Sequence, residues 1–520
     1  MFGRDSSHRS ASPDVAPRDL NAVQVTSSAA LGLKPCSGPV VADGRVYVYA
    51  SGSPSGTLFC LDAVTLGVIW SNAVDVDDTG WGSWATPAVG NGMVVMGADD
   101  FLGCWTTGGV PEWTAAITST MNSSPVIAGD KVLVGSFHYA NTTNAVAAYW
   151  LTNGACVWQQ PVVPAPSLGS ACTPAVDESN GTCYACSGSD VFAFQCSDGS
   201  NLWRVTLPCA SLMNVTLAGG TLLAVQYGTL TNLYALNAAD GSQLWARVCG
   251  GSDVPPAVWS NIVVYACGYY TAPAPTLTGF DLTSGSQVWS CAGIGDFANM
   301  PAIADGIAYV GAGGVNSSFV DMTNLTAVSV ADGSVLSSRP TLEGGHTAAI
   351  ADDALFSANN GVLSRFMWRA VSLTVTRVTA KIQVAGGTKD LIALTAIVST
   401  GPAVTNVAGE PMTLSCGGVT LLDNTVGVVK VTKAGMKWKH RAGSLMVTMN
   451  WSASSQLLTI KARMNKATLA GMLPYSPVDG TVTNAVCTSV HAGKYLYYAE
   501  SYNPVVAKTK RGTATLKYKR

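Results

Sequence analysis

The chain has 520 residues, 48% of them apolar and only 12% charged, with a formal net charge of −2. That charged share is about half of what a soluble globular chain usually carries. Its apolar runs are short and alternate with polar residues, so no membrane-spanning helix is predicted, and the length leaves room for more than one domain.

Residues 1–19 form a polar N-terminal arm without the apolar stretch of a signal peptide. Such an arm is normally disordered in isolation, and order in it would fit pinning by a partner. The first strand-like run is Leu20-Asn-Ala-Val-Gln-Val-Thr-Ser.

From there a two-part pattern repeats. Its leading phrase is a Pro, two small or β-branched residues, a turn and an apolar run, as in Pro39-Val-Val-Ala-Asp-Gly-Arg-Val-Tyr-Val and Pro301-Ala-Ile-Ala-Asp-Gly-Ile-Ala-Tyr-Val. Asp-Gly or Asn-Gly between β-rich runs is a strong hairpin signal, because few other pairs tolerate the positive φ angles the turn needs. Its trailing phrase ends in tryptophan: Trp70, Trp113, Trp158, Trp203, Trp245 and Trp289, spaced 43, 45, 45, 42 and 44 residues apart. A Gly lies four residues before five of them (Gly109, Gly154, Gly199, Gly241, Gly285), whereas Gly67 lies three before Trp70. A seventh copy keeps its Gly333 but has Ser337 in place of the Trp.

Four strands in a unit of about 40–50 residues describe a propeller blade. The leading phrase occurs eight times, counting weaker copies at Asn214, Pro256 and Thr347, and the trailing phrase seven times. The eighth blade therefore lacks one outer strand, which the run beginning at Leu20 can supply. The predicted fold is all-β: an eight-bladed propeller over residues 20–369, closed by an N-terminal strand, with the tryptophans wedged between blades.

The Gly-x-x-x-Trp phrase with its upstream Leu-Asp/Asn resembles the pyrroloquinoline-quinone-like (PQQ-like) propeller repeat. That family includes quinoprotein alcohol dehydrogenases, an outer-membrane assembly lipoprotein of the BamB type, kinase sensor domains and many secreted proteins. The resemblance implies the fold and does not choose among these activities. In its dehydrogenase members it implies carboxylate and amide ligands for a calcium ion, a catalytic Asp, groups stacking a quinone plane and, frequently, an adjacent Cys pair. This chain has no adjacent Cys pair, and its acidic residues fall mostly in turns. No catalytic or cofactor-binding residue is therefore assigned.

Other chemistry is sparse. His8, His138, His346, His440 and His491 are far apart in sequence, and no Gly-x-Ser-x-Gly elbow or phosphate-cradling Gly loop occurs. The best metal candidate is Asp75, Asp77 and Asp78, three carboxylates in four residues that suit a hard cation such as calcium. The competing reading is an acidic solvated loop with Trp81 and Trp84 over a blade edge; Asp99-Asp100 is a weaker candidate of the same kind. Of fourteen cysteines, twelve precede residue 370 and two, Cys416 and Cys487, follow it. Even numbers in both parts suit disulfides and an oxidising compartment, while single cysteines in strands also serve as small buried hydrophobes. Cys416 and Cys487 are a candidate disulfide. Cys183 and Cys186 have zinc-like spacing, but in a strand an odd offset sends them to opposite faces.

Residues 370–520 hold 18 Lys and Arg against 5 Asp and Glu, whereas residues 1–369 hold 11 against 26. A near-neutral total thus combines −15 in the propeller with +13 in the tail. The tail alternates with period two in runs such as Ser372–Val384 and Gln456–Met464, which predicts a basic β-sandwich-like domain of about 7–9 strands. Its charges form no basic-aromatic cluster or known module, so nucleic acid is not an expected partner. These features together suggest a non-enzymatic, extracellular or cell-surface structural protein. It would self-associate into a homo-oligomer, filament, sheath or surface layer, or bind an anionic cell-surface polymer. The alternatives are a divergent quinone- or metal-dependent oxidoreductase with its site at the propeller axis, and a ligand-binding or envelope-assembly scaffold.

Overall fold

The computed structural model describes residues 5–31 (15, 18 and 22 apart), 37–50, 55–75, 85–98, 101–117, 123–136, 144–162, 172–209, 212–226, 231–249, 254–267, 276–294 (293 apart), 300–313, 322–340, 348–359 (353 apart) and 361–368, and beyond these the backbone of strands between 373 and 519. The described elements are all strands. The chain divides into two units, Met1–Met367 and Trp368–Arg520.

In the first unit, eight sheets follow one another along the chain, the consecutive strands of each blade pairing antiparallel. Blade 1 contains Val40–Ala42, Arg45–Ala50, Ser55–Asp62 and Val68–Asp75. Blades 2 to 7 repeat this plan, their first strands starting at Ala88, Val126, Ala175, Leu212, Ala257 and Ala302. The tight turns follow from sequence. Asp43 and Gly44 have φ of 51° and 71°, Asn91 and Gly92 52° and 76°, and Asp305 and Gly306 48° and 70°. Two successive positive φ angles match the twist of the flanking strands, which is why these dipeptides recur here.

Blade 8 has only three consecutive strands, Ala349–Ala351, Ala354–Asn359 and Val362–Trp368. Val23–Ser27 supplies the fourth, pairing outside Val362–Trp368. Just beyond it, Ser28 N–H donates to Leu363 O at 2.9 Å and Leu31 N–H to Gly361 O at 2.6 Å. The first strands of blades 8 and 1 also meet, so the ring closes. Closure by the N-terminal strand, expected from the missing eighth phrase, is thus borne out, and it covers an edge that would otherwise template aggregation.

Adjacent blades are joined by one device used six times. Each indole N–H donates to a carbonyl of the following blade: Trp70 to Thr107, Trp113 to Leu151, Trp158 to Cys196, Trp203 to Ala238, Trp245 to Leu282 and Trp289 to Val330, at 2.7–3.1 Å. Each ring also covers the next blade's turn glycine. A Cβ on Gly109 would lie 2.8 Å from Trp70, and one on Gly333 would lie 2.6 Å from Trp289. The glycine therefore serves the Trp of the preceding repeat, not the one in its own phrase.

That offset explains both irregular copies. Gly333 persists because it receives Trp289. Ser337 replaces Trp because blade 8 takes its outer strand from the N-terminus and has no Gly turn to receive a ring. Instead the Ser337 hydroxyl accepts the Leu20 N–H at 3.0 Å, and Arg339 donates to Leu20 O at 3.1 Å. Blade 1 receives no Trp from blade 8, so its turn is free to differ, with Leu66 rather than a Gly at positive φ (56°).

Among the described residues of the second unit, thirteen strands run from Leu373–Gln383 to Thr513–Lys519. They form a nine-stranded and a four-stranded antiparallel sheet. Cys416 and Cys487 lie on directly paired strands, Cys416 opposite Thr488; their side chains lie outside the described residues.

Candidate functional site at the propeller axis

The first strand of each blade has one edge paired within its own sheet and another facing the axis. In blades 4 to 8 the N-terminal arm takes up that second edge. Val176 N–H of blade 4 donates to Ser6 O at 2.7 Å, Leu217 N–H of blade 5 to Ser7 O at 2.8 Å, Val258 N–H of blade 6 to Arg9 O at 2.8 Å and Ile303 N–H of blade 7 to Ser10 O at 2.8 Å. Ala11–Ser12 then runs parallel to Ile303–Ala304, and the Ser12 hydroxyl donates to Ile350 O of blade 8 at 3.1 Å. Seven consecutive residues thus engage five consecutive blades.

Local chemistry shapes the arm for this path. Asp5 caps its start: Oδ1 accepts the Ser7 N–H at 3.1 Å and the Ser7 hydroxyl at 2.7 Å, and Oδ2 pairs with Arg9 at 3.2 Å. His8 and Ser10 have φ of 62° and 53°, left-handed conformations that turn the chain so that successive carbonyls meet successive blades. Each costs about 1 kcal/mol for a non-glycine residue. The hydrogen bonds, worth about 1 kcal/mol each, offset that cost. Burial alternates: Ser6, His8, Ser10 and Ser12 are buried while Arg9 is exposed.

His8 is the anchor. It is fully buried, and its Nδ1 lies 3.2 Å from Val215 O, so Nδ1–H is the donor. Burial lowers the imidazole from its ordinary 6.5 to about 4, against the raising effects of the Val215 carbonyl and Asp5. The ring is neutral at physiological pH. After Ser12 the arm dives between blades 7 and 8, where Ala16 and Leu20 join a core with Tyr309, Ile350, Leu355 and Phe366. Residues 5–12 of the arm thus pack against the chain's own propeller.

The remaining candidates are placed as follows. Asp75 ends the outer strand of blade 1, while its side chain and Asp77, Asp78, Trp81, Trp84, Asp99 and Asp100 lie outside the described residues. Among the described residues no cluster of three metal-ligating side chains occurs. The turn carboxylates Asp62, Asp198, Asp240, Asp281 and Asp332 have structural work. Each accepts hydrogen bonds from Ser or Thr within its own turn, and these hold all five below the usual carboxylate range. Asp190 is buried in blade 4 against Arg204 at 2.6 Å and Thr206 at 2.5 Å.

Among the described residues nine cysteines, Cys60, Cys104, Cys156, Cys172, Cys183, Cys186, Cys196, Cys209 and Cys291, are free thiols. Most stand singly in strands as small apolar residues. Burial raises Cys60, Cys196 and Cys209 to about 11 and Cys104 to about 12, and lifts Cys183 and Cys186 well above the ordinary range. These thiols stay protonated and are poor nucleophiles.

Among the described residues, those at the axis do not fit a quinone held by calcium. Its place by resemblance is the channel, and here the arm covers the axial edges of five first strands, four through its backbone and the fifth through the Ser12 hydroxyl. Those strands present mostly small apolar residues, such as Ala257-Val-Trp259, Ala302-Ile-Ala304 and Ala349-Ile-Ala351. The one acid among the three-residue first strands, Asp177, instead caps its turn by accepting from Ser179 at 2.6 and 3.0 Å.

Sequence reasoning missed the arm because it carries no long apolar run. The available signals were the Asp5-Ser-Ser turn motif and the alternation of small residues after it.

A second surface feature accompanies the blade joints. Because side chains alternate across a strand, the residue before each inward Trp points outward. Before Trp70, Trp203, Trp245 and Trp289 these are the exposed Ile69, Leu202, Leu244 and Val288, and Leu336 is likewise exposed before Ser337.

Comparison with known proteins gives a consistent picture. The family model for "Outer membrane protein assembly factor BamB" matches residues 19–246 and 187–363. No curated protein sequence matches the chain. Among solved structures, BamB from Moraxella catarrhalis is similar at 16% identity, covering 66% of this chain and 99% of that one with a TM-score of 0.51. The quinohemoprotein alcohol dehydrogenase from Comamonas testosteroni has 15% identity, covers 72% of this chain and 82% of that one, and gives 0.58. The computationally designed Ika8 protein has 14% identity, covers 66% and 98%, and gives 0.52. Similarity at these identities speaks to the fold alone.

Proposed function

This chain belongs to the BamB family of PQQ-type β-propellers, and from that premise we propose that it is a non-enzymatic interaction scaffold. The observation carrying this reading is the arm: residues 6–12 occupy the channel edges of blades 4 to 8. An axial active site would need that volume for substrate and cofactor. With the arm along five of the eight inner strands, the outer surfaces are the ones free for a second molecule while the arm is docked. Exposed apolar residues beside four of the six Trp joints lie there, alongside turn carboxylates such as Asp62, Asp198, Asp240, Asp281 and Asp332.

The charge division supports self-association. Residues 1–369 carry −15 and residues 370–520 carry +13, and complementary patches on one chain favour head-to-tail contacts between copies. An anionic surface polymer is the competing partner for the basic tail. We place the protein outside the cytoplasm, as the outer-membrane role in the family's name suggests. Among the described residues no helix is long and apolar enough to cross a membrane.

Light scattering of the intact chain across a salt series tests the reading. Association should be strong at 20 mM salt and weaken steeply towards 500 mM, because exposed charges are screened over about 8 Å at 0.15 M. A monomer at every ionic strength that also fails to bind an anionic polysaccharide such as alginate would refute it. Reduction of an electron-accepting dye by the chain supplied with quinone, calcium and an alcohol would move the assignment to an oxidoreductase.

A further inference from the structure

The arm's contacts are of a kind that recurs in peptide recognition: an extended segment is added to exposed strand edges through main-chain hydrogen bonds. Four consecutive blades each offer one N–H to one arm carbonyl, and blade 8 offers the Ile350 carbonyl to the Ser12 hydroxyl. The side chains facing the propeller are Ser6, His8, Ser10 and Ser12. Three are small, and the fourth fills a site closed by Val215 O. Recognition therefore needs an acceptor-rich backbone, small alternate residues and left-handed conformations at the third and fifth positions.

The geometry points to a peptide-binding site along the channel edges of blades 4 to 8, specific for an extended serine-rich segment and held closed in cis by residues 6–12. The arm is the tethered ligand of this site. A free peptide of the same chemistry competes with it at a disadvantage, because a short tether presents the arm at an effective concentration in the millimolar range. The site stands independently of self-association through the charged surfaces.

The arm can be disabled without touching the rest of the chain. A proline has φ near −65° and cannot adopt the 62° and 53° of His8 and Ser10. The full-length double variant His8→Pro/Ser10→Pro keeps Val23–Ser27 for blade closure and leaves the channel edges open. A fluorescent synthetic peptide of residues 5–14 is the probe, with binding read by anisotropy. The double variant should bind it one to one, at least 100-fold more tightly than the wild-type chain does. The same peptide carrying both prolines should not bind.

Equal binding of the two peptides, or none by a variant whose circular dichroism and melting match the wild type, would overturn the proposal. Should the double variant fail to fold, the wild-type chain with a protease site inserted after Pro13 serves instead. After nicking, the labelled peptide should exchange into the propeller. Its failure to enter even after the nicked fragment has been washed away at pH 4 and the propeller returned to pH 7 would overturn the proposal equally.

Discussion

The Nδ1 of His8 lies 3.2 Å from the carbonyl oxygen of Val215, 207 positions away in sequence, and this contact fixes the N-terminal arm inside the ring. It joins a buried neutral imidazole to the first strand of blade 5. The main-chain bonds on either side of it then set the arm's register against blades 4 to 7. The arm's grip is consequently sensitive to one proton.

Acid should loosen the arm. Released His8 titrates near 6.5, whereas docked His8 titrates near 4. Above pH 6.5 both forms are neutral and docking is fully favoured. Between 6.5 and 4 the released arm takes up a proton that the docked arm refuses, so docking weakens as pH falls. The total loss is roughly 3 kcal/mol, since each pKa unit is worth about 1.4 kcal/mol. Amide exchange at Val258 and Ile303, corrected for the intrinsic pH dependence, should show the fall in protection. His8→Asn should remove the slope.

The blade joints make a second prediction. Gly333 and Gly44 both have positive φ (73° and 71°), but a Cβ at Gly44 would meet nothing within 4 Å, whereas one at Gly333 would strike Trp289. Gly44→Ala should cost only the conformational penalty, about 1 kcal/mol. Gly333→Ala adds displacement of the ring and should cost about 2–4 kcal/mol, towards the range for truncating a buried aromatic. Denaturant melts of the two variants give the comparison.

Restoring the repeat consensus at Ser337 should not help. Blade 8 has no glycine turn to receive an indole, and Ser337→Trp removes the hydroxyl that accepts the Leu20 N–H. We expect a loss of about 1–3 kcal/mol from overpacking and an unpaired amide. A gain in melting temperature would show that the missing Trp is incidental.

Thiol chemistry should be selective. Cys156 is exposed, whereas Cys183 and Cys186 are buried and held protonated. In the native chain iodoacetamide should modify Cys156 rapidly, and Cys183 and Cys186 only after unfolding. Peptide mass mapping over a time course distinguishes these rates.

The propeller was legible in the sequence because its cues are local and repeated. Asp43-Gly44 and Asn91-Gly92 announce hairpins, and the Gly-x-x-x-Trp spacing announces blades. Even the missing eighth copy of the trailing phrase pointed to the N-terminal closing strand. What joins Trp289 to Gly333 was less visible, since one phrase appeared to hold a matched pair that in fact belongs to two neighbouring joints. The axial site was not legible at all. Its donors are backbone N–H groups on short strands such as Ala257–Trp259 and Ala302–Ala304, and backbone leaves no mark in residue identity. Its ligand, Ser6–Ser12, reads as a solvated tail because its burial comes from curvature around five blades and not from apolar side chains.

The account rests on the arm lying within the ring, and amide exchange of the intact chain against one lacking residues 1–12 tests this most directly. The N–H groups of Val176, Leu217, Val258 and Ile303 should be protected in the intact chain and exchange at least tenfold faster in the shortened one. The Tyr234 N–H, deep in blade 5, should be unchanged. Equal protection of all four inner amides in both chains would contradict the account.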